Sequence, residues 1–159
     1  MTWVAADSEA GLARTSMSAD GARDFIDTNV LVYAHDKSAG VKHNKAQGLL
    51  RRLWQDRSGY LSVQVLQEFY TVVTRKIPQP MSGPEALEVV HDLATWTVHA
   101  PDGSDVESAI RLHQSLQLSF WDAMVVHSAL RLHCSTLWSE DLPDGQRIEQ
   151  LQVRNPFLD

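Results

Sequence analysis

The sequence predicts an α/β fold: a single three-layer α/β/α domain around a central parallel sheet. Three observations predict it. Short apolar runs alternate with amphipathic stretches, and strands separated by helices pair in parallel through right-handed crossovers. The 159 residues suit one domain, and a chain of this size buries about two-thirds of its unfolded surface, enough for a core without disulfide or metal staples. Acids stand at the ends of two apolar runs, and ligands of open parallel sheets sit at the carboxyl ends of the strands.

Residues 1–22 are small and polar, with no periodicity and no basic start or apolar run of a signal peptide. They read as a flexible tail, with Met17 as an alternative start, ahead of a domain over residues 23–159. Phe25-Ile26-Asp27 is a buried strand ending in an acid; Thr28-Asn29 turns into a short helix through Val30 to Ala34. Val41 to Arg57 carries Leu49, Leu50, Leu53 and Trp54 at helical spacing, and Gly59 is expected to stop that helix. Tyr60-Leu61-Ser62 returns as a strand, and Ser62 caps a helix with Val65, Leu66, Phe69, Val72 and Val73 on its apolar face. Ser82 with Glu85, and Ser104 with Glu107, have capping-box spacing and mark two further helix starts. Thr95 to Val98 between them is a strand, Ser119 opens another helix, and Thr136-Leu137-Trp138 is a strand leading to Ser139-Glu140-Asp141. A last strand holds Leu151 and Val153.

The hydrophobic share of 43% and charged share of 21% exclude a disordered, collagen-like or coiled-coil chain. No run approaches the ~18 apolar residues of a membrane span. Cys134 stands alone, which excludes an internal disulfide and Cys-rich zinc sites; it reads as a buried structural thiol in a reducing, cytoplasmic setting. A net charge of −6 argues against bulk electrostatic binding of nucleic acid or membrane. Residues 37–57 nevertheless carry six bases against Asp56 alone. Lys42, Lys45, Arg51 and Arg52 are the candidates there for guiding a phosphate-bearing ligand; a solvated helix face is the plainer reading.

Four acids have apolar neighbours: Asp27 after Phe25-Ile26, Glu68 before Phe69-Tyr70, Asp122 after Phe120-Trp121, and Asp141 between Trp138 and Leu142. Ionised carboxylates in apolar surroundings are costly unless paired or bound to metal. Convergence on a shared divalent cation resolves this, and an all-oxygen donor set suits Mg²⁺ or Mn²⁺. Such an ion acidifies water and screens charge on a phosphodiester, so the chemistry points to phosphodiester hydrolysis. Each acid also has an ordinary reading. Asp27 suits a helix cap, Glu68 an exposed helix edge, Asp122 the acid of a capping box after Ser119, and Asp141 a turn. The histidines form no HExxH, and neither GxxxxGK[ST], GxGxxG nor GxSxG occurs. His35, His43, His91, His99 and His113 read as exposed or hydrogen-bonded, not as ligands.

Phe25-Ile26-Asp27-Thr28-Asn29-Val30-Leu31-Val32-Tyr33 resembles the opening strand and turn of PIN-domain nucleases. Ser62 to Tyr70, Leu118 to Ala123 and Leu137 to Leu142 resemble that family's other acidic segments, and Asn155-Pro156-Phe157 is also similar. Together, from about Asp24 to Phe157, these resemble the VapC-type toxins of bacterial toxin–antitoxin pairs. The resemblance implies that Asp27, Glu68, Asp122 and Asp141 form the catalytic metal site. Asn29, Thr28, Ser139 and Glu140 would support it, and whether Glu140 or Asp141 faces the metal stays open. It further implies an RNA substrate, a homodimer, and a cognate antitoxin whose basic or aromatic tail enters the acidic site. A receiver-like domain or a DxD phosphatase is disfavoured, because Asp27 is followed by Thr28-Asn29 and no lysine follows Lys76. A non-catalytic nucleic-acid-binding or regulatory PIN-like module is the alternative.

Overall fold

The computed structural model describes residues 21–159. Most of the expected tail lies outside the described residues. In chain order the elements are β1 (Asp24–Ile26), α1 (Thr28–His35), α2 (Val41–Asp56), β2 (Gly59–Ser62), α3 (Val63–Val73), α4 (Gly83–Leu93), β3 (Thr97–His99), α5 (Gly103–Leu116), α6 (Phe120–Arg131), β4 (Thr136–Trp138), β5 (Arg147–Ile148) and β6 (Leu151–Arg154). No helix among the described residues is long and apolar enough to cross a membrane.

The strands form one sheet in the order β3-β2-β1-β4-β6-β5. All neighbouring pairs are parallel except the β5–β6 hairpin. The central sheet is parallel as expected, and the antiparallel hairpin is confined to its edge. Gln146 and Glu149 flank two residues too few to show alternation, and Glu149 turns the chain at φ 53°. β1 is central and buried on every residue, as a strand covered by helices on both faces must be. Its Phe25 and Ile26 pack with Leu61, Leu137, Leu151 and Val153 of the other strands and with Leu50, Leu53, Val65, Phe69 and Val126 of the helices.

Two boundary signals differ from expectation. α2 ends on Arg57, which takes the left-handed conformation at φ 53°, and its backbone N–H closes the helix on Leu53 and Trp54. Gly59 is instead the first residue of β2, and a Cβ there would fall 2.3 Å from the Trp96 ring. The glycine is required by a close approach and not by a helix stop. α5 is capped by Asp102 with Asp105, not by Ser104 with Glu107. The Asp105 carboxylate does more than cap. Its Oδ1 meets His127 Nε2 at 2.7 Å and Arg131 Nε at 3.4 Å, and its Oδ2 meets His99 Nε2 at 3.3 Å. This ties α5 to β3 and α6, and Asp105 is held below the usual carboxylate range chiefly by the His127 hydrogen bond. The capping boxes at Ser82 and the caps at Ser62 and Ser119 form as expected.

Candidate metal-dependent active site

Parallel strands place their carboxyl ends on one edge, so the residues following β1 and β4 meet there. β1 pairs with β4 through Ile26 and Trp138, and Asp27 N–H donates to the Trp138 carbonyl at 3.0 Å. Asp27 is therefore fixed twice. It closes the strand, and as N-cap of α1 it accepts from Thr28 N at 2.8 Å. The cap reading and the functional reading describe the same side chain.

Asp27 is 5% exposed. Its Oδ2 accepts from Ser139 Oγ at 2.7 Å and from Asn29 Nδ2 at 3.2 Å. Burial nevertheless pushes its pKa up to about 6; the Ser139 and Thr28 hydrogen bonds oppose this, and the charges of Asp141 and Asp122 add to it. Asp122, in the first turn of α6, is half-buried and also raised, by burial and by the charges of Asp141 and Glu68. The four acids thus feel one another electrostatically, as expected if they share a site.

Small polar side chains set their spacing. Asn29 Nδ2 donates to both Asp27 and Asp141 Oδ2, the latter at 3.0 Å, and its Oδ1 accepts from Glu140 N–H at 3.2 Å. Ser139, fully buried, accepts from Asp141 N–H at 3.1 Å while donating to Asp27. Thr28 Oγ1 donates to Glu68 Oε2 at 2.9 Å. Of the neighbouring pair, Asp141 faces the acids; Glu140 turns away to an ion pair with Lys42. Of the four acids only Asp27 is buried: Glu68 and Asp122 are half-buried and Asp141 is exposed, and of their apolar neighbours Phe69 and Leu142 point inward while Tyr70 and Trp121 do not.

Gln64 escaped the sequence reading. It is 9% exposed on α3, and its Nε2 donates to Glu68 Oε1 at 3.0 Å and to the Trp121 carbonyl at 3.3 Å. One amide therefore joins the acid of α3 to the backbone beside the acid of α6. A buried glutamine leaves no periodic trace; the only signal was a polar residue one turn before Glu68.

The basic candidates are less concentrated. Lys42 stands beside the site but is engaged with Glu140 and lies over the Tyr33 and Phe157 rings. Lys45 bonds Asp159 at 2.7 Å. Arg52 lies over the Trp138 ring, whose indole N–H reaches back to Asp24 Oδ1, at the end of β1 remote from Asp27. Arg51 is its exposed neighbour on α2. A cavity of about 340 Å³ lies elsewhere, lined among others by His35, His43, Glu85 and Asp92.

Among the described residues no three His, Cys, Asp or Glu side chains stand close enough to hold a metal ion as placed. The donor chemistry still fits a hard cation: all four side chains offer carboxylate oxygens, Asp27 and Asp122 are raised, and one Asn29 amide bonds both Asp27 and Asp141.

The PIN domain family model matches residues 25–142, and the chain belongs to the PIN-domain family. Its fold is shared with solved toxins. A toxin–antitoxin complex from Klebsiella pneumoniae aligns with a TM-score of 0.62 and 18% identity, covering 84% of this chain and 98% of that one. VapC20 of Mycobacterium tuberculosis, described as a sarcin–ricin loop cleaving toxin, gives 0.54 and 20%, covering 72% and 86%. VapBC2 from Rickettsia felis, bound to a DNA fragment from its promoter, gives 0.58 and 18%, covering 83% and 97%. No curated protein matches the chain.

Proposed function

We propose that the chain is a Mg²⁺- or Mn²⁺-dependent endoribonuclease and the toxin of a VapBC-type toxin–antitoxin pair. The observation that carries this reading is the hydrogen-bond network at the carboxyl edge of the sheet: Asn29 bonds both Asp27 and Asp141, Thr28 bonds Glu68, and Gln64 ties Glu68 to the backbone beside Asp122. Those four carboxylates would hold the cation. When bound, a hard divalent ion supplies Lewis acidity, lowering the pKa of water and neutralising phosphodiester charge. The chain's own residues do the positioning. Ser139 and Thr28 N–H orient Asp27, Thr28 Oγ1 and Gln64 orient Glu68, and Asn29 keeps Asp141 beside Asp27. Of the α2 bases, Lys42 is the one paired with Glu140, next to Asp141, and would steer an RNA phosphate in exchange for that pairing.

The partners in this reading are an RNA substrate, a cognate antitoxin and a second copy of the chain, in the cytoplasm. The antitoxin is supported by the relatives, which were solved as toxin–antitoxin complexes. The test is cleavage of single-stranded RNA by purified chain with Mg²⁺, with Mn²⁺ and with EDTA, beside an Asp27→Asn/Asp122→Asn double variant. The expected result is cation-dependent cutting that leaves 5′-phosphate ends and disappears in the variant. Cutting that survives EDTA, persists in the variant, or leaves 2′,3′-cyclic phosphates would overturn it. Binding of RNA without any turnover would favour the non-catalytic module.

A further inference from the structure

We propose that Trp121 is a stacking platform for one base of the RNA substrate, next to the bond that is cut; this rests on the endoribonuclease reading above. Trp121 is 62% exposed. The other described tryptophans are packed: Trp54 and Trp96 meet edge to face at 5.0 Å, and Trp138 donates its indole N–H to Asp24. An indole left open to solvent forgoes a large burial gain, so its position is informative.

That position is the rim of the acid cluster. Trp121 directly precedes Asp122 in the first turn of α6. Its carbonyl accepts from the same Gln64 amide that holds Glu68. The Phe120 ring lies against it at 5.0 Å with a 66° interplanar angle, which limits the rotation of the indole. A half-fixed aromatic side chain is therefore rooted next to Asp122, on a backbone carbonyl that shares the Gln64 amide with Glu68.

The electrostatics explain why such a face is needed. RNA must approach a cluster of carboxylates on a chain of net charge −6. Of the α2 bases, Lys42 and Lys45 are paired with Glu140 and Asp159. Stacking supplies affinity without charge, and it tolerates any base because every base has a π-face. A neighbouring base held on Trp121 also fixes the register of the phosphate over the acids.

The test compares wild type with Trp121→Phe and Trp121→Leu on a pool of short single-stranded RNAs of randomised sequence, with Mn²⁺. Leucine keeps an apolar surface but has no π-face. Trp121→Leu is expected to lower kcat/KM about 5- to 100-fold, mostly through KM, while Trp121→Phe stays within about 3-fold of wild type. In the best-cut RNA, a single abasic ribose is then moved along the strand. Wild type should lose cleavage at one position beside the cut, and Trp121→Leu should be indifferent to the base there. Wild-type kinetics in Trp121→Leu, or equal sensitivity of both proteins at every position, would overturn the proposal. So would a variant that cuts RNA normally but loses self-association, which would make Trp121 a contact with a second copy of the chain. If wild type cuts no RNA, the parent reading fails, and anisotropy with the same labelled RNAs decides this one. Weaker binding by Trp121→Leu then supports it; equal binding, or no binding by wild type, overturns it.

Discussion

Asp27→Asn should make the protein more stable at neutral pH while abolishing cleavage. In wild type without divalent cation, the Asp27 carboxyl titrates at about 6 in the folded chain against 3.8 as the reference value. A raised acid means that the folded state holds a proton over that window and the unfolded chain does not. Stability from this group is therefore greatest below about pH 4 and falls as pH rises toward 6. The shift corresponds to about 3 kcal/mol, fully lost by pH 7. Asparagine cannot ionise, and it caps α1 about as well as aspartate. If its oxygen keeps the cap, its NH2 replaces the oxygen that accepts from both Ser139 and Asn29, and losing those two bonds returns about 2 kcal/mol. The net expectation is a variant about 1 kcal/mol more stable than wild type at pH 7, or about 3 °C in Tm. At pH 4 the advantage should vanish or reverse. Urea melts of both proteins in EDTA at pH 4, 5.5 and 7 measure this, and subtracting the curves removes the titrating groups that do not feel Asp27. A variant less stable than wild type at pH 7, with a difference that does not change with pH, would refute the reasoning. Adding Mn²⁺ should stabilise wild type and leave the variant nearly unmoved.

Other expectations concern single contacts. Asp141→Asn should reduce cleavage at least about 10-fold by weakening cation binding, whereas Glu140→Gln should retain most of it; cleavage rates against Mn²⁺ concentration separate the two. Asp105→Ala removes the reciprocal half of the α5 capping box, the acceptor for Asp102 N–H worth about 1 kcal/mol, and leaves His99 and His127 without their shared acceptor, so thermal melts should show a lowered Tm. Because Asp105 is held below its ordinary pKa, its contribution is present above about pH 4 and disappears as pH falls below the depressed value, so the loss in Asp105→Ala should be largest near neutrality. Gly59→Ala should cost about 1–3 kcal/mol in urea melts, because the added methyl meets the Trp96 ring. Cys134 is fully buried, with its thiol pushed up to about 12, and should react with iodoacetamide at pH 8 only at the rate of unfolding.

The elements legible in the sequence were those with a strong local signal. The apolar run ending at Asp27, the cap at Ser62 and the capping box at Ser82 all form where their residues predict. The hairpin at Arg147–Ile148 was not legible, since two residues carry no period. The cap of α5 was misplaced because Ser104–Glu107 and Asp102–Asp105 have the same spacing, and only the packing of His99 and His127 on Asp105 selects between them. Within the acidic edge, the positions of Asp27 and Asp141 were readable from the strands they follow. The placement of Gln64 and Trp121 was not, because a buried amide and an exposed indole both depend on which way a helix faces. The same holds for Glu140 and Asp141, adjacent in sequence and opposed in space.

Asp27 is welded into the sheet by its own backbone, while Asp141 hangs on an exposed segment secured to it through Asn29 and Ser139. The two halves of the acidic edge thus have unlike anchors, a strand end and a loop pinned by the buried Ser139 and Leu142. Because the Asn29 amide spans both carboxylates, Asn29→Ala should cut the one side-chain strap between them while those two buried residues keep the loop seated.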